Sequence, residues 1–108
     1  MYTIIGTDIT LTRGDSFLAH ITPKQGDEEY EPQEGDRIRF AMKKSYKDTE
    51  PLIVKQIPID TCLLELVPGD TKELPMGKTY VYDIELTYAD GKVDTFISGT
   101  LKLTNEVL

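Results

Sequence analysis

The stretch Val67–Val93, VPGDTKELPMGKTYVYDIELTYADGKV, decides how this chain folds. From Tyr80 to Tyr88 the even positions are Tyr80, Tyr82, Ile84, Leu86 and Tyr88, with Val81, Asp83, Glu85 and Thr87 between them. Apolar side chains recur with period two, so the segment reads as a strand with one buried face and one wet face. Asp90-Gly91 follows, a pair that supplies positive φ and predicts a two-residue hairpin turn. The return strand, Val93 to Leu103, puts Val93, Thr95, Ile97, Gly99, Leu101 and Leu103 on one face. Phe96 points the other way and is the one violation of the pattern. Gly99 marks either a bulge or a close approach of another backbone.

Upstream of this hairpin, Pro68-Gly69-Asp70 is turn chemistry. Asp70 is placed as an N-cap with Glu73 three residues on, a capping-box spacing that predicts a short helical turn near residues 70–74. Pro75 and Gly77 stop it after about one turn. A helical crossing followed by a strand that opens on tyrosine is how the E–F corner of an immunoglobulin-like domain is written, where a tyrosine hydroxyl ties the corner to nearby backbone. Tyr80 and Tyr82 are the two candidates for that structural corner. The competing reading is that both are ordinary inward-facing aromatics.

Working outward, five further segments read as short strands: Asp8 to Thr12, Ser16 to Thr22, Arg37 to Lys44, Leu52 to Ile57 and Thr61 to Val67. Ile38, Phe40 and Met42 are expected inward, as are Phe17, Ala19 and Ile21, and Cys62, Leu64 and Leu66. With the hairpin this makes about seven antiparallel strands and no amphipathic helix, the pattern of an all-β immunoglobulin-like sandwich. A small barrel is the competing architecture. At 108 residues, with 39% hydrophobic residues, the chain suits a single domain spanning 1–108.

Composition removes several function classes. No stretch has the length of a membrane-spanning helix, and MYTIIGTDITLT lacks the basic and apolar regions of a signal peptide, so membrane insertion and export are not expected. The net charge of −7 repels phosphate and argues against nucleic acid as a partner. Much of that charge sits in Lys24 to Asp36, where Asp27, Glu28, Glu29, Glu31, Glu34 and Asp36 oppose Lys24 alone. The segment reads as a long solvated loop, mobile over residues 25–35 because little in it can be buried. The calcium-loop pattern D-x-[DN]-x-[DN]-G is missing from it.

Catalytic chemistry has little to stand on, and the chain is expected not to be an enzyme. There is one histidine, His20, and one cysteine, Cys62, too few for a zinc site. Cys62 reads as a small buried hydrophobe on a strand. Neither Ser16 nor Ser98 has the flanking glycines of a nucleophile elbow, and no phosphate-binding glycine motif occurs. No catalytic residue, metal or cofactor is expected. Arg13-Gly14-Asp15 spells the tripeptide that animal integrins read, but a glycine-centred break is what two consecutive strands require in any case.

The segments ITLTRGD (9–15), RIRFAMKK (37–44) and PGDTKELPMGKTYVYDIELTYADGKVDTFISGTLKLT (68–104) together resemble the N-terminal β-sandwich domain of phage baseplate upper proteins. They are also similar to small virion-associated proteins encoded by prophages of Gram-positive bacteria. The resemblance implies a structural role: a domain made in the bacterial host cytoplasm that docks into the virion by protein–protein contact. The chain departs from that family by ending at Leu108 with no fibre region, which favours a standalone decorating or assembly module over a branched connector. Tyr2, Ile4, Val107 and Leu108, apolar residues at the chain ends, are the expected contacts to other virion proteins or to a second copy. The alternative is a carbohydrate- or cell-surface-binding domain on the same scaffold. With no tryptophan in the chain, its aromatic platform would be built from Tyr30 and Tyr46.

Overall fold

The alternation at residues 80–88 does form a strand, and most of the chain is arranged around it. A computed structural model describes residues 2–105. In chain order the strands are β1 (Tyr2–Ile5), β2 (Asp8–Thr12), β3 (Phe17–His20), β4 (Lys24–Gln25), β5 (Glu28–Glu29), β6 (Arg37–Lys43), β7 (Ile53–Ile57) and β8 (Leu63–Leu66). A four-residue helix, α1 (Pro68–Thr71), leads to β9 (Thr79–Thr87) and β10 (Val93–Thr104). The protein is all-β. Ten strands replace the expected seven among the described residues, the additions being β1 and the two-residue strands β4 and β5.

Six strands form one mixed sheet in the order β1-β2-β10-β9-β6-β7, while β3 pairs with β8 and β4 with β5 in two-stranded ribbons. The pairing is not antiparallel throughout. Leu101, Lys102, Leu103 and Thr104 of β10 run parallel to Ile9, Thr10, Leu11 and Thr12 of β2. The long chain between these two strands supplies the crossover that a parallel pair requires. Ile9, Leu11, Ile38, Phe40, Ile84, Leu86, Leu101 and Leu103 from the large sheet and Phe17, Leu64 and Leu66 from the β3–β8 ribbon are buried in one cluster. A fully buried aliphatic or aromatic side chain stabilises the fold by about 1.5–3 kcal/mol relative to exposure.

Two features of the closing hairpin differ from the sequence expectation, and a third decides between two that it left open. Its connection is a three-residue loop, Ala89-Asp90-Gly91, in which the Gly91 amide donates to the Tyr88 carbonyl and the Tyr88 amide to that of Lys92. A two-residue type I′ turn needs positive φ at both central residues, and here Gly91 alone has it, at +95°. The Asp90 carboxylate instead accepts from the Lys92 amide at 3.0 Å. Next, the register slips between Thr95 and Ile97, so the bulge lies at Phe96 and not at Gly99. One extra residue inverts parity. Val93 is therefore 54% exposed, and Phe96 and Ile97, although adjacent, both pack on the core. Gly99 is the close approach: a Cβ there would collide with the Thr7 carbonyl.

The helix starts earlier than expected, with Val67 as its N-cap. Asp70 is the third helical residue, and its carboxylate reaches back to the Val67 amide at 2.7 Å. That is one half of a capping box; valine has no acceptor to supply the other half. The same carboxylate pairs with Lys55 Nζ at 2.9 Å, joining the corner to β7.

Candidate functional site

The sequence-derived candidates fall in three places: the tyrosine corner, the hairpin turn and the edge that carries β1. At the corner, Tyr80 is 2% exposed and its hydroxyl donates to the Pro75 carbonyl at 3.1 Å, five residues upstream. Tyr82, on the same face, donates instead to the Thr7 carbonyl, 75 residues away. Burial, and secondarily Asp8, pushes the Tyr82 phenol up to about 12. The Gly6–Thr7 turn between β1 and β2 is thus held from two sides, by the Tyr82 hydroxyl and by the bare backbone of Gly99.

Thr71, which sequence reasoning passed over, is wholly buried. Its hydroxyl accepts the Gly14 amide at 2.9 Å, and Arg13 donates to the Leu74 carbonyl at 3.2 Å. The Arg13-Gly14-Asp15 break is therefore packed on the corner, with Gly14 at φ +83°. Its guanidinium is committed to the protein's own backbone.

The acidic segment is not the free loop its composition implies. Lys24–Gln25 and Glu28–Glu29 close a small ribbon around Gly26, and Asp36 is 6% exposed. One Asp36 oxygen accepts the Gln33 amide at 2.8 Å and the Tyr30 hydroxyl at 2.7 Å; the other accepts the Ala89 amide at 3.0 Å. These donors hold the Asp36 carboxyl below its usual range, Gln33 contributing most. The hydrogen bond that the Tyr30 hydroxyl donates to Asp36 drives the Tyr30 phenol up to about 12. The Tyr30 ring also meets Tyr88 edge-on at 5.4 Å. Tyr30 is thereby engaged in packing, while Tyr46 is 68% exposed.

Cys62 is buried, but not on a strand. It precedes β8 in a left-handed conformation, at φ +55°. Its amide donates to the Pro58 carbonyl at 2.8 Å, and its carbonyl accepts the Ile21 amide at 2.8 Å. The left-handed turn thus places the carbonyl against the β3 segment, and burial pushes the thiol up.

The edge that carries β1 is one of the places where the fold leaves apolar surface open. Tyr2 and Ile4 pair with Leu11 and Ile9 and so face inward, whereas Ile5 faces away and is 75% exposed. The Tyr2 ring meets Phe17 edge-on at 4.6 Å, and its hydroxyl donates to the Leu18 carbonyl at 2.8 Å. Beside Tyr2 lies a cavity of about 370 Å³, lined by Ile4, Ala19, Ile21, Ile84 and Phe96 among others. Among the described residues its lining contains no carboxylate, and its ionisable residues besides Tyr82 are Lys24 and His20. The opposite edge of the sheet, β7, has Lys55 at its centre and Pro58 just after it, residues that discourage strand addition. β1 has neither. Val107 and Leu108, the remaining expected partner contacts, lie outside the described residues.

The chain matches no family model and no curated protein.

Proposed function

We propose that this chain is a structural or assembly module of a phage or prophage virion, tail- or baseplate-associated, acting by protein–protein contact and not by catalysis. The observation that carries this reading is the uncharged β1 edge beside an open apolar cavity, in a six-stranded sheet whose opposite edge is guarded. An unguarded edge is a template for association. The resemblance of residues 9–15, 37–44 and 68–104 to baseplate upper proteins supplies the biological setting.

The finer architecture that fits this role is an immunoglobulin-like sandwich. The order β10-β9-β6-β7 corresponds to strands G, F, C and C′ of that fold, and the β3–β8 ribbon to B and E. The Tyr80 hydroxyl bond to Pro75, across the turn before β9, is what a tyrosine corner requires. A glycan-binding reading draws less support, because Tyr30 is occupied by Asp36 and Tyr88.

Purification of particles from the bacterium carrying the gene, followed by mass spectrometry, tests the proposal. The chain is expected in the particles, and Ile4→Asp is expected to reduce its incorporation while the purified variant stays folded. A chain that remains entirely in the particle-free supernatant would end the virion reading.

A further inference from the structure

The groove between β1 and β3 has the chemistry of a receptor for an extended peptide segment. Among the described residues β3 has a strand neighbour on one side only, β8. On its other side the Leu18 carbonyl points into the groove, where it accepts the Tyr2 hydroxyl. The Tyr2 ring lies against Phe17, a residue of the cavity lining. Past it, from Ala19 toward Lys24, the cavity stands open between the two layers. A volume of about 370 Å³ lies within the roughly 300–1,000 Å³ range of pockets that enclose a ligand group.

Charge selects among possible occupants. The chain has 19 acidic residues, and none of those among the described residues lines this cavity, whereas Lys24 and His20 do. Lys24 opens the acidic segment, so a second copy turned onto the same groove by a two-fold axis would bring two such segments together. Like charges at close range oppose that arrangement. A different protein, bringing an apolar side chain and a carboxylate, meets no such opposition.

We propose that this groove seats an extended segment of a partner protein. The segment lies along the free side of β3, inserts an aliphatic or aromatic side chain between Ile4, Ala19 and Phe96, and places an acidic residue against Lys24. This is strand addition with a side-chain anchor. It rests on the reading of the chain as an assembly module and names the chemistry of the partner.

Selection of a random linear peptide library on the immobilised chain tests it. The enriched peptides are expected to share an apolar residue close to an acidic one and to shift the NMR signals of Leu18 and His20. Ala19→Phe, which fills the cavity, is expected to weaken the selected peptides roughly tenfold or more, the scale of one buried side chain lost. Lys24→Glu leaves the cavity intact and is expected to weaken them by a smaller, salt-dependent factor. Melting curves establish that both variants fold. Peptides indifferent to both substitutions, or no enrichment at all, would overturn the proposal. So would a dimer of the chain that Ala19→Phe dissociates, since the occupant would then be a second copy. If the chain is found in particles but no peptide seats in the groove, the assembly reading stands and the groove assignment falls.

Discussion

The β9–β10 hairpin and the acidic segment 24–36 touch at Ala89 and Asp36, yet they are held by opposite means. In the hairpin, stability is spread over many buried apolar side chains: Tyr80, Tyr82, Ile84, Leu86, Leu101 and Leu103. In the segment it is concentrated on one carboxylate that collects an amide from its own loop, a tyrosine hydroxyl and an amide from the hairpin turn. Periodicity reports the first kind of stabilisation because it repeats along the chain. Net charge per window hides the second, because one buried aspartate looks like its five exposed neighbours.

The largest effect should come from the distributed side. Ile84→Ala, at a central position 1% exposed, is expected to cost about 3 kcal/mol in urea unfolding. A cost under about 1 kcal/mol would mean that the sheet collapses around the gap and that the hairpin core is looser than its burial implies.

Asp36→Ala sharpens the comparison most. It leaves the Tyr30 hydroxyl and the Gln33 and Ala89 amides without their acceptor, at an expected cost of about 2–3 kcal/mol. Hydrogen exchange should speed up at Gln33 and Ala89 together. If Ala89 keeps its protection, the two regions are not coupled through this residue. The pH dependence has a definite sign. The carboxyl is held low in the folded state, so its contribution is present above the unfolded aspartate value of ~3.9 and is lost as pH falls through the folded value. Thermal melts between neutral pH and pH ~2 should therefore fall less steeply for Asp36→Ala than for the parent chain.

Tyr80→Phe removes one neutral hydrogen bond and keeps the ring, with an expected loss of about 1 kcal/mol by chemical denaturation. The smallest effect belongs to an ordinary member of the acidic segment. Glu34→Gln, at an exposed position, should change stability by no more than about 0.5 kcal/mol. A large change there would put the segment's stabilisation on its whole charge and not on Asp36.

The positions of six strands were legible because each repeats an apolar residue at about every second place; Leu52–Ile57 was legible instead as a short apolar run that Lys55 and Gln56 interrupt. β1 was not, since Tyr-Thr-Ile-Ile has apolar residues on both faces and no alternation to read. β4 and β5 are too short for any period. The Phe96 bulge was visible only as a break in pattern, whereas Gly99, three residues on, signalled a bulge or a close backbone approach and is the close approach, to Thr7. Asp-Gly fits two loop lengths, and the flanking register, which local sequence does not carry, decides between them. The candidate groove was beyond the reach of sequence altogether. It exists because residues near 4, 19, 84 and 96 converge, and no local signal links them.

The parallel pairing of β2 with β10 has a mechanical consequence. Tension between the ends of the described chain pulls β1 first, from its Tyr2 end, and breaks its bonds to β2 one pair after another. Once β1 is gone, the load passes to Asp8, which lies at the opposite end of the parallel pair from Thr104. The bonds from Ile9–Leu101 to Thr12–Thr104 are then strained all at once, along the strands. The domain yields at low force by a few residues and then locks: a peel followed by a shear.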